Sequence, residues 1–241
     1  MVQRNILAST TVVPDLYLTD TYQFEAKTRV VATGRVEGRK WVMTEENLFH
    51  PQGGGQPADR GWVDDLVVTP RRHEETGSVI AVATVDGELE DVGEGQAVAV
   101  RVDRDARLLH AALHTAGHLV EAVGRLRGWS WVPHSHFPGQ ARIDFSAPAP
   151  VPELADVTGR DLLVAELQGA LDQAVKAALP VRAEVEPGGR RVVWLGELHC
   201  APCGGTHVRN LADLADATVT GVKLKKGIIR VSYAAQHGPL Q

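Results

Sequence analysis

The sequence predicts an α+β fold in two parts. A small β-barrel is expected over 1–102, and an α+β domain over 103–241 with helices packed on an antiparallel sheet. Three observations carry this expectation. As far as about residue 102, short β-branched runs alternate with Gly, Asp and Glu turns. At residue 103 the texture changes to apolar residues at helical spacing. Beyond residue 140 strand-like runs return around a second amphipathic stretch.

The barrel strands are read from "QFEAKTRVVATGRV", "KWVMT", "GWVDDLVV", "SVIAVATV" and "QAVAVRVD", each bounded by turn residues. The stretch 103–128 then places apolar residues at 109, 112, 113, 116, 119, 120, 123 and 126, the spacing of one helical face. Asp103 is placed to cap that helix and Gly128 to end it. A second helix follows "PAPVP": Leu163, Leu167, Ala170, Leu171, Ala174 and Ala178 share one face, and Pro180 stops it. "QARIDFS", "VRAEVE", "DATVTGVKL" and "GIIRVSYAA" read as the strands of the second domain. There is no internal repeat and no low-complexity tract.

With 241 residues, 44% of them hydrophobic and 23% charged, the chain is composed like an ordinary globular protein. No apolar run approaches the roughly twenty residues of a membrane helix. "MVQRNILASTTVV" lacks the basic start and long apolar centre of a signal peptide, so the expected address is cytoplasmic and no membrane partner is expected. Two cysteines are too few for a disulfide framework and are free to bind metal. A net charge of −5 argues against a generally adhesive nucleic-acid binder and leaves room for a local basic patch.

The chemistry concentrates in two places. In "HTAGH", His114 and His118 stand four apart on one helical face, where two imidazoles can share one ion. No glutamate follows His114, so the metalloprotease form with its built-in base is absent, and His110 extends the same row. In "LHCAPCGGTHV", Cys203 and His207 are also four apart. Two His joined by a Cys and a His make a tetrahedral set of the kind zinc prefers. Cys200 and His199 stand beside it, so the fourth ligand is not unique at this point. The competing redox reading of "CAPC" needs the second cysteine at a helix start, whereas here it runs into "GGT". Buried free thiols with a packed helical histidine would leave the clustering of ligand types unexplained.

"HTAGH" followed far downstream by "CGGTHV" resembles the editing domain of alanyl-tRNA synthetase and its freestanding relatives, the AlaX proteins. "LFHPQGGGQPADRGWV" is similar to the family's Gly-Gly-Gln segment, and "ARIDFS" to an Arg-x-Asp-Phe-Ser element. With the stretch from "VGEGQ" to "HTAGHL", the likeness covers most of 40–231 in the family's order. The resemblance implies a trans-acting editor that hydrolyses mischarged tRNA(Ala), chiefly Ser-tRNA(Ala), with Gly-tRNA(Ala) as a further substrate. It implies one Zn2+ per chain held by His114, His118, Cys203 and His207, and a catalytic segment at Gln56 with Gly54 and Gly55. Ser135, Arg142, Asp144 and Thr206 are expected to line the substrate pocket.

Serine exceeds alanine by one hydroxyl, which a synthetase pocket rejects poorly and a second, hydrogen-bonding site can recognise. Glycines at 53–55 can bring backbone amides close to a developing oxyanion, or simply form a turn between strands. The segment "GWSWVPHSHFPGQ" is expected to border the pocket as a loop, with Ser130 or Ser135 as the recognising hydroxyl and His134 and His136 facing solvent. For tRNA contact, Lys223, Lys225 and Lys226 gather with Arg230 in "VKLKKGIIRV", although the same alternation describes a solvated strand face. Arg125, Arg127, Arg71 and Arg72 are further candidates. Two rival readings are a structural-zinc RNA- or protein-binding module without hydrolysis, and a zinc hydrolase of a small ester or amide.

Overall fold

The computed structural model describes residues 13–240, so the stretch read against a signal peptide lies almost wholly outside it. Six strands close a barrel: β1 (Glu25–Val36), β2 (Arg39–Thr44), β3 (Gly61–Val63), β4 (Leu66–Arg72), β5 (Val79–Ala83) and β6 (Ala97–Val102). Their order is β1-β2-β5-β4-β3-β6, every pair antiparallel, with β6 returning to β1. Alternation builds the interior. Along β6, Val98, Val100 and Val102 are buried while Ala97, Ala99 and Arg101 are exposed. "GWVDDLVV", expected as one strand, is a hairpin. Asp64 takes a positive φ of 51° at its turn, and its carboxylate accepts the Ala99 amide at 2.8 Å.

Helix α1 (Arg104–Leu126) begins where expected, with the Asp103 carboxylate accepting the Ala106 amide at 3.1 Å. Then come β7 (Ser130–Ser135), β8 (Arg142–Ser146), helix α2 (Val157–Lys176), β9 (Val181–Val185), β10 (Arg191–Leu195), β11 (His199–Pro202), β12 (Leu214–Lys225) and β13 (Ile228–His237). One sheet runs β12-β13-β8-β7 and another β11-β10-β9. Both helices share a core with the sheets through residues such as Leu119, Leu163, Phe145, Leu195 and Val231. A small barrel followed by an α+β assembly is thus the architecture.

Three strands escaped the sequence reading. β7 lies in the segment expected to be a loop; it contains Pro133, which a sheet tolerates because β7 is an edge strand. β10 and β11, five and four residues long, are the other two. Helix α2 ends at Lys176, short of Pro180, and Ala178 turns out to solvent with φ of 49°, leaving the face it was expected to share.

Barrel and helix are locked together by Arg107, in the first turns of α1 and fully buried. Its guanidinium pairs with the Asp59 carboxylate through two nitrogens and donates to the carbonyls of Thr21 (3.2 Å) and Leu48 (2.9 Å). Asp59 in turn accepts the His50 amide at 2.6 Å. A buried charge is tolerated only when it is this completely satisfied.

Candidate metal centre

Four residues on α1 put His114 and His118 one turn apart, their rings 5.2 Å between centres and 6° from parallel. The loop after β11 delivers Cys203 and His207 to the same point. One donor atom from each of these four side chains lies within 4.8 Å of every other. Cys203 Sγ is 3.3 Å from His114 Nε2 and 3.2 Å from His207 Nε2. His118 Nε2 is buried with no hydrogen-bond partner. His110, in the same helical row, is not part of the cluster.

The neighbours of the rings fix which nitrogen faces inward. His114 Nδ1 donates to Gln56 Oε1 at 2.7 Å, and that same oxygen accepts the Thr206 amide at 3.0 Å. The Gln56 amide nitrogen donates to Thr206 Oγ1 at 3.0 Å, so its orientation is set from both sides. The Thr115 hydroxyl spends its proton on the Ala111 carbonyl at 2.8 Å. His207 Nδ1, 3.1 Å from that hydroxyl, must therefore be the donor. His118 Nδ1 lies 3.2 Å from His199 Nε2 and 3.6 Å from the Glu121 carboxylate. Three Nε2 atoms and one sulfur are thus left converging.

Burial holds His114 and His207 well below the ordinary histidine range, helped by the surrounding histidines and, for His207, by Arg191. Both are neutral, as a ligand imidazole must be. Burial works against charge on His118 too, but Cys203 and Glu121 outweigh it and raise its pKa to about 9. Burial likewise opposes the Cys203 thiolate, and His118, the Gly205 amide and Arg191 together bring its pKa below the ordinary thiol value. Arg191 also shapes the loop, donating to the carbonyls of Cys203 (2.6 Å), Gly205 (3.1 Å) and Leu18 (3.0 Å). The set fits zinc: three imidazoles, a readily ionised thiol, and a buried nitrogen with nothing else to bind.

Two glycines make room for this packing. A Cβ on Gly205 would fall 2.2 Å from the His114 ring, and one on Gly117 would fall 2.4 Å from the His136 ring. His136, expected in solvent, is instead only 2% exposed. It stacks on His114 at 4.3 Å and bonds the Tyr233 hydroxyl at 2.5 Å. The stretch 53–56 is a tight turn in which Gly53 and Gln56 exchange backbone bonds, with φ of 56° at Gly54 and 76° at Gly55. Its carbonyl at Gly55 accepts the His136 amide at 2.9 Å, while the Gly54 and Gly55 amides have no partner among the described residues.

The structure brings Gln56, Gly54, Gly55, Thr206 and the four ligand candidates together. Gln56 and Thr206 are completely buried and act on His114 and its loop rather than lining an open surface. Ser135 is half-buried, its hydroxyl accepting the Phe137 amide at 3.4 Å. Arg142 and Asp144 are not brought to the cluster. They occupy the face of β8 opposite Ile143 and Phe145, and Asp144 pairs with Arg230 through two 2.8 Å bonds. Lys223, Lys225 and Lys226 are exposed on and beside β12; Lys223 and Lys225 line a groove of about 910 Å³ with Arg142 and Arg230. Glu121, Thr115, Arg191 and Gly117 escaped the sequence reading, because their roles depend on neighbours distant in the chain.

No family model matches the chain. Relatives are nonetheless plain. An alanine–tRNA ligase of Caldivirga maquilingensis is 33% identical over 91% of this chain and 26% of its own length. The alanyl-tRNA editing protein AlaX-M of Saccharolobus solfataricus is 28% identical over 92% of this chain and 98% of its own. The chain is a homologue of the AlaX editing proteins. AlaX-L of Pyrococcus horikoshii adds 25% identity over 90% of this chain and 57% of its own length. The chain thus spans about a quarter of the ligase and little more than half of AlaX-L, while covering 98% of the Saccharolobus solfataricus AlaX-M.

Proposed function

We propose that this chain is a trans-acting aminoacyl-tRNA deacylase that removes the wrong amino acid from tRNA(Ala), chiefly serine and also glycine. One observation carries the reading: three Nε2 atoms and the Cys203 sulfur converge beside a glycine turn with two amides unpartnered among the described residues, in a homologue of alanyl-tRNA editing proteins. In the reaction a water oxygen bonds to the ester carbonyl carbon and the bond from that carbon to the tRNA 3′-terminal oxygen breaks. Free serine and uncharged tRNA result, the water protons going to the released oxygen and to solvent.

His114, His118, Cys203 and His207 would hold the zinc. Zinc bound there supplies Lewis acidity toward the ester or a fixed anchor for it. Gln56 and Thr206 keep His114 in the tautomer that offers Nε2. The Gly54 and Gly55 amides are free to receive negative charge developing on the carbonyl oxygen. Ser135 is the nearest serine hydroxyl on β7 to His134 and His136 and the candidate for recognising the substrate side chain. Lys223, Lys225 and Lys226 add an exposed basic edge for tRNA.

Four protein donors also satisfy a closed tetrahedral shell, which favours a second reading, a structural zinc in a module without hydrolysis. Purified protein incubated with labelled seryl-, glycyl- and alanyl-tRNA(Ala) decides between them. Loss of seryl and glycyl label well above the buffer rate, with alanyl-tRNA spared, is expected. No acceleration for any of the three overturns the deacylase reading.

A further inference from the structure

Arginines gather at the junction of barrel and α1 in a chain that is acidic overall. Arg101 and Arg60 both lie over the Trp62 ring, 4.7 and 5.6 Å from its centre. Arg104 lies 5.5 Å over Phe24, and Arg209 lies 3.9 Å over Tyr22. The Tyr22 and Phe24 rings meet edge to face at 6.4 Å. All four arginines are exposed. Among the described residues the guanidiniums of Arg60, Arg101 and Arg104 form no ion pair, and only Arg209 has a carboxylate, Asp20 at 3.5 Å. Glu25 is the register neighbour of Arg101 and still does not pair with it, while Asp103 is occupied as the α1 cap.

These residues converge on one seam. Trp62 stands across from Arg101 in the β3–β6 pairing, and the Asp103 amide donates to the Arg60 carbonyl at 2.8 Å. At the other end Arg209 follows His207 by two residues, and its amide donates to the Tyr22 hydroxyl at 3.3 Å. The seam therefore starts beside the candidate metal centre and runs onto the barrel wall.

A guanidinium laid on an aromatic face keeps its N–H edge free while its swinging is restricted. Fewer rotamers are lost when a ligand arrives, so each contact is stronger than one from a free lysine. Exposed guanidinium forks, three of the four without a carboxylate partner among the described residues, suit the phosphates of a nucleic-acid strand. We propose that Arg60, Arg101, Arg104 and Arg209, held on Trp62, Phe24 and Tyr22, form the phosphate-binding surface that leads the tRNA substrate to the metal centre. This rests on the deacylase reading above for the identity of the RNA.

The test is binding of uncharged tRNA(Ala) transcript across a KCl series, with zinc content and circular dichroism of each variant as the check on folding. Arg60→Ala/Arg101→Ala should bind at least about ten-fold more weakly, with the log–log salt slope reduced by about 1 to 2. Trp62→Ala, which removes no charge, should weaken binding about three-fold by releasing both arginines. Unchanged affinity and slope in the double variant overturns the proposal. So does a Lys223→Ala/Lys225→Ala protein that alone loses the salt-dependent binding. Because no hydrolysis is read, an inactive wild type would sink the deacylase reading without touching this measurement. In an active protein, the double variant should raise KM for seryl-tRNA(Ala) with kcat unchanged, and an unchanged KM overturns the surface.

Discussion

Gln56 was legible in the sequence as part of a glycine-rich segment, but its work was not. Its amide is wholly buried and sets the His114 tautomer from the barrel side of the molecule. Gln56→Ala is therefore expected to lower zinc affinity roughly 10- to 100-fold, read by competition with a chelator, while the fold survives. The ligand candidates themselves could be read from spacing, because i, i+4 geometry is local. Which of Cys200 and Cys203 faces inward could not, since it depends on how the short strand β11 pairs with β10. Cys200 is exposed on that strand, and Cys203 lies past its end, against the histidines. Gly117 gives a sharper case. Replacing a helical glycine by alanine ordinarily stabilises by up to about 1 kcal/mol. Here the added methyl would meet the His136 ring and the Tyr233 hydroxyl at 2.4–2.5 Å. Gly117→Ala should instead destabilise by about 1–3 kcal/mol in denaturant titrations.

At the scale of elements, both helices and the barrel strands were readable because each repeats a pattern over enough residues to show its period. The loop expectation for 128–140 failed where edge-strand residues carry a proline and polar side chains, a composition shared with loops. That failure hid His136, which follows the last residue of β7 and packs inward onto His114 of α1. The Arg107–Asp59 lock was equally illegible, since nothing local marks which of many arginines becomes buried. Asp59→Ala leaves the guanidinium without its counter-charge and should cost about 3–5 kcal/mol of stability, measured by urea unfolding. Arg107→Ala should be comparably severe.

Over the whole molecule, part of the pH dependence of stability comes from a histidine outside the metal centre, His50. Burial, aided by the nearby Arg107 charge, pushes the His50 pKa down to about 4 against its ordinary 6.5, although Asp59 pulls it the other way. The unfolded chain takes up that proton near pH 6.5 and the folded chain only near 4, so stability is lost as pH falls between these values. The loss amounts to about 3 kcal/mol at the lower end. Unfolding free energies at pH 7 and pH 4.5 should differ less in His50→Gln than in wild type by most of that amount.

The Arg107 latch bears on how a substrate can be admitted. Parting the lobes would strip a guanidinium of its carboxylate and two carbonyls at once, and Gln56 would leave His114 in the same motion. Such a seam resists opening, because its contacts would break together. A chain cut at the junction should therefore forfeit the support that Gln56 gives His114 along with its barrel, and bind zinc more weakly.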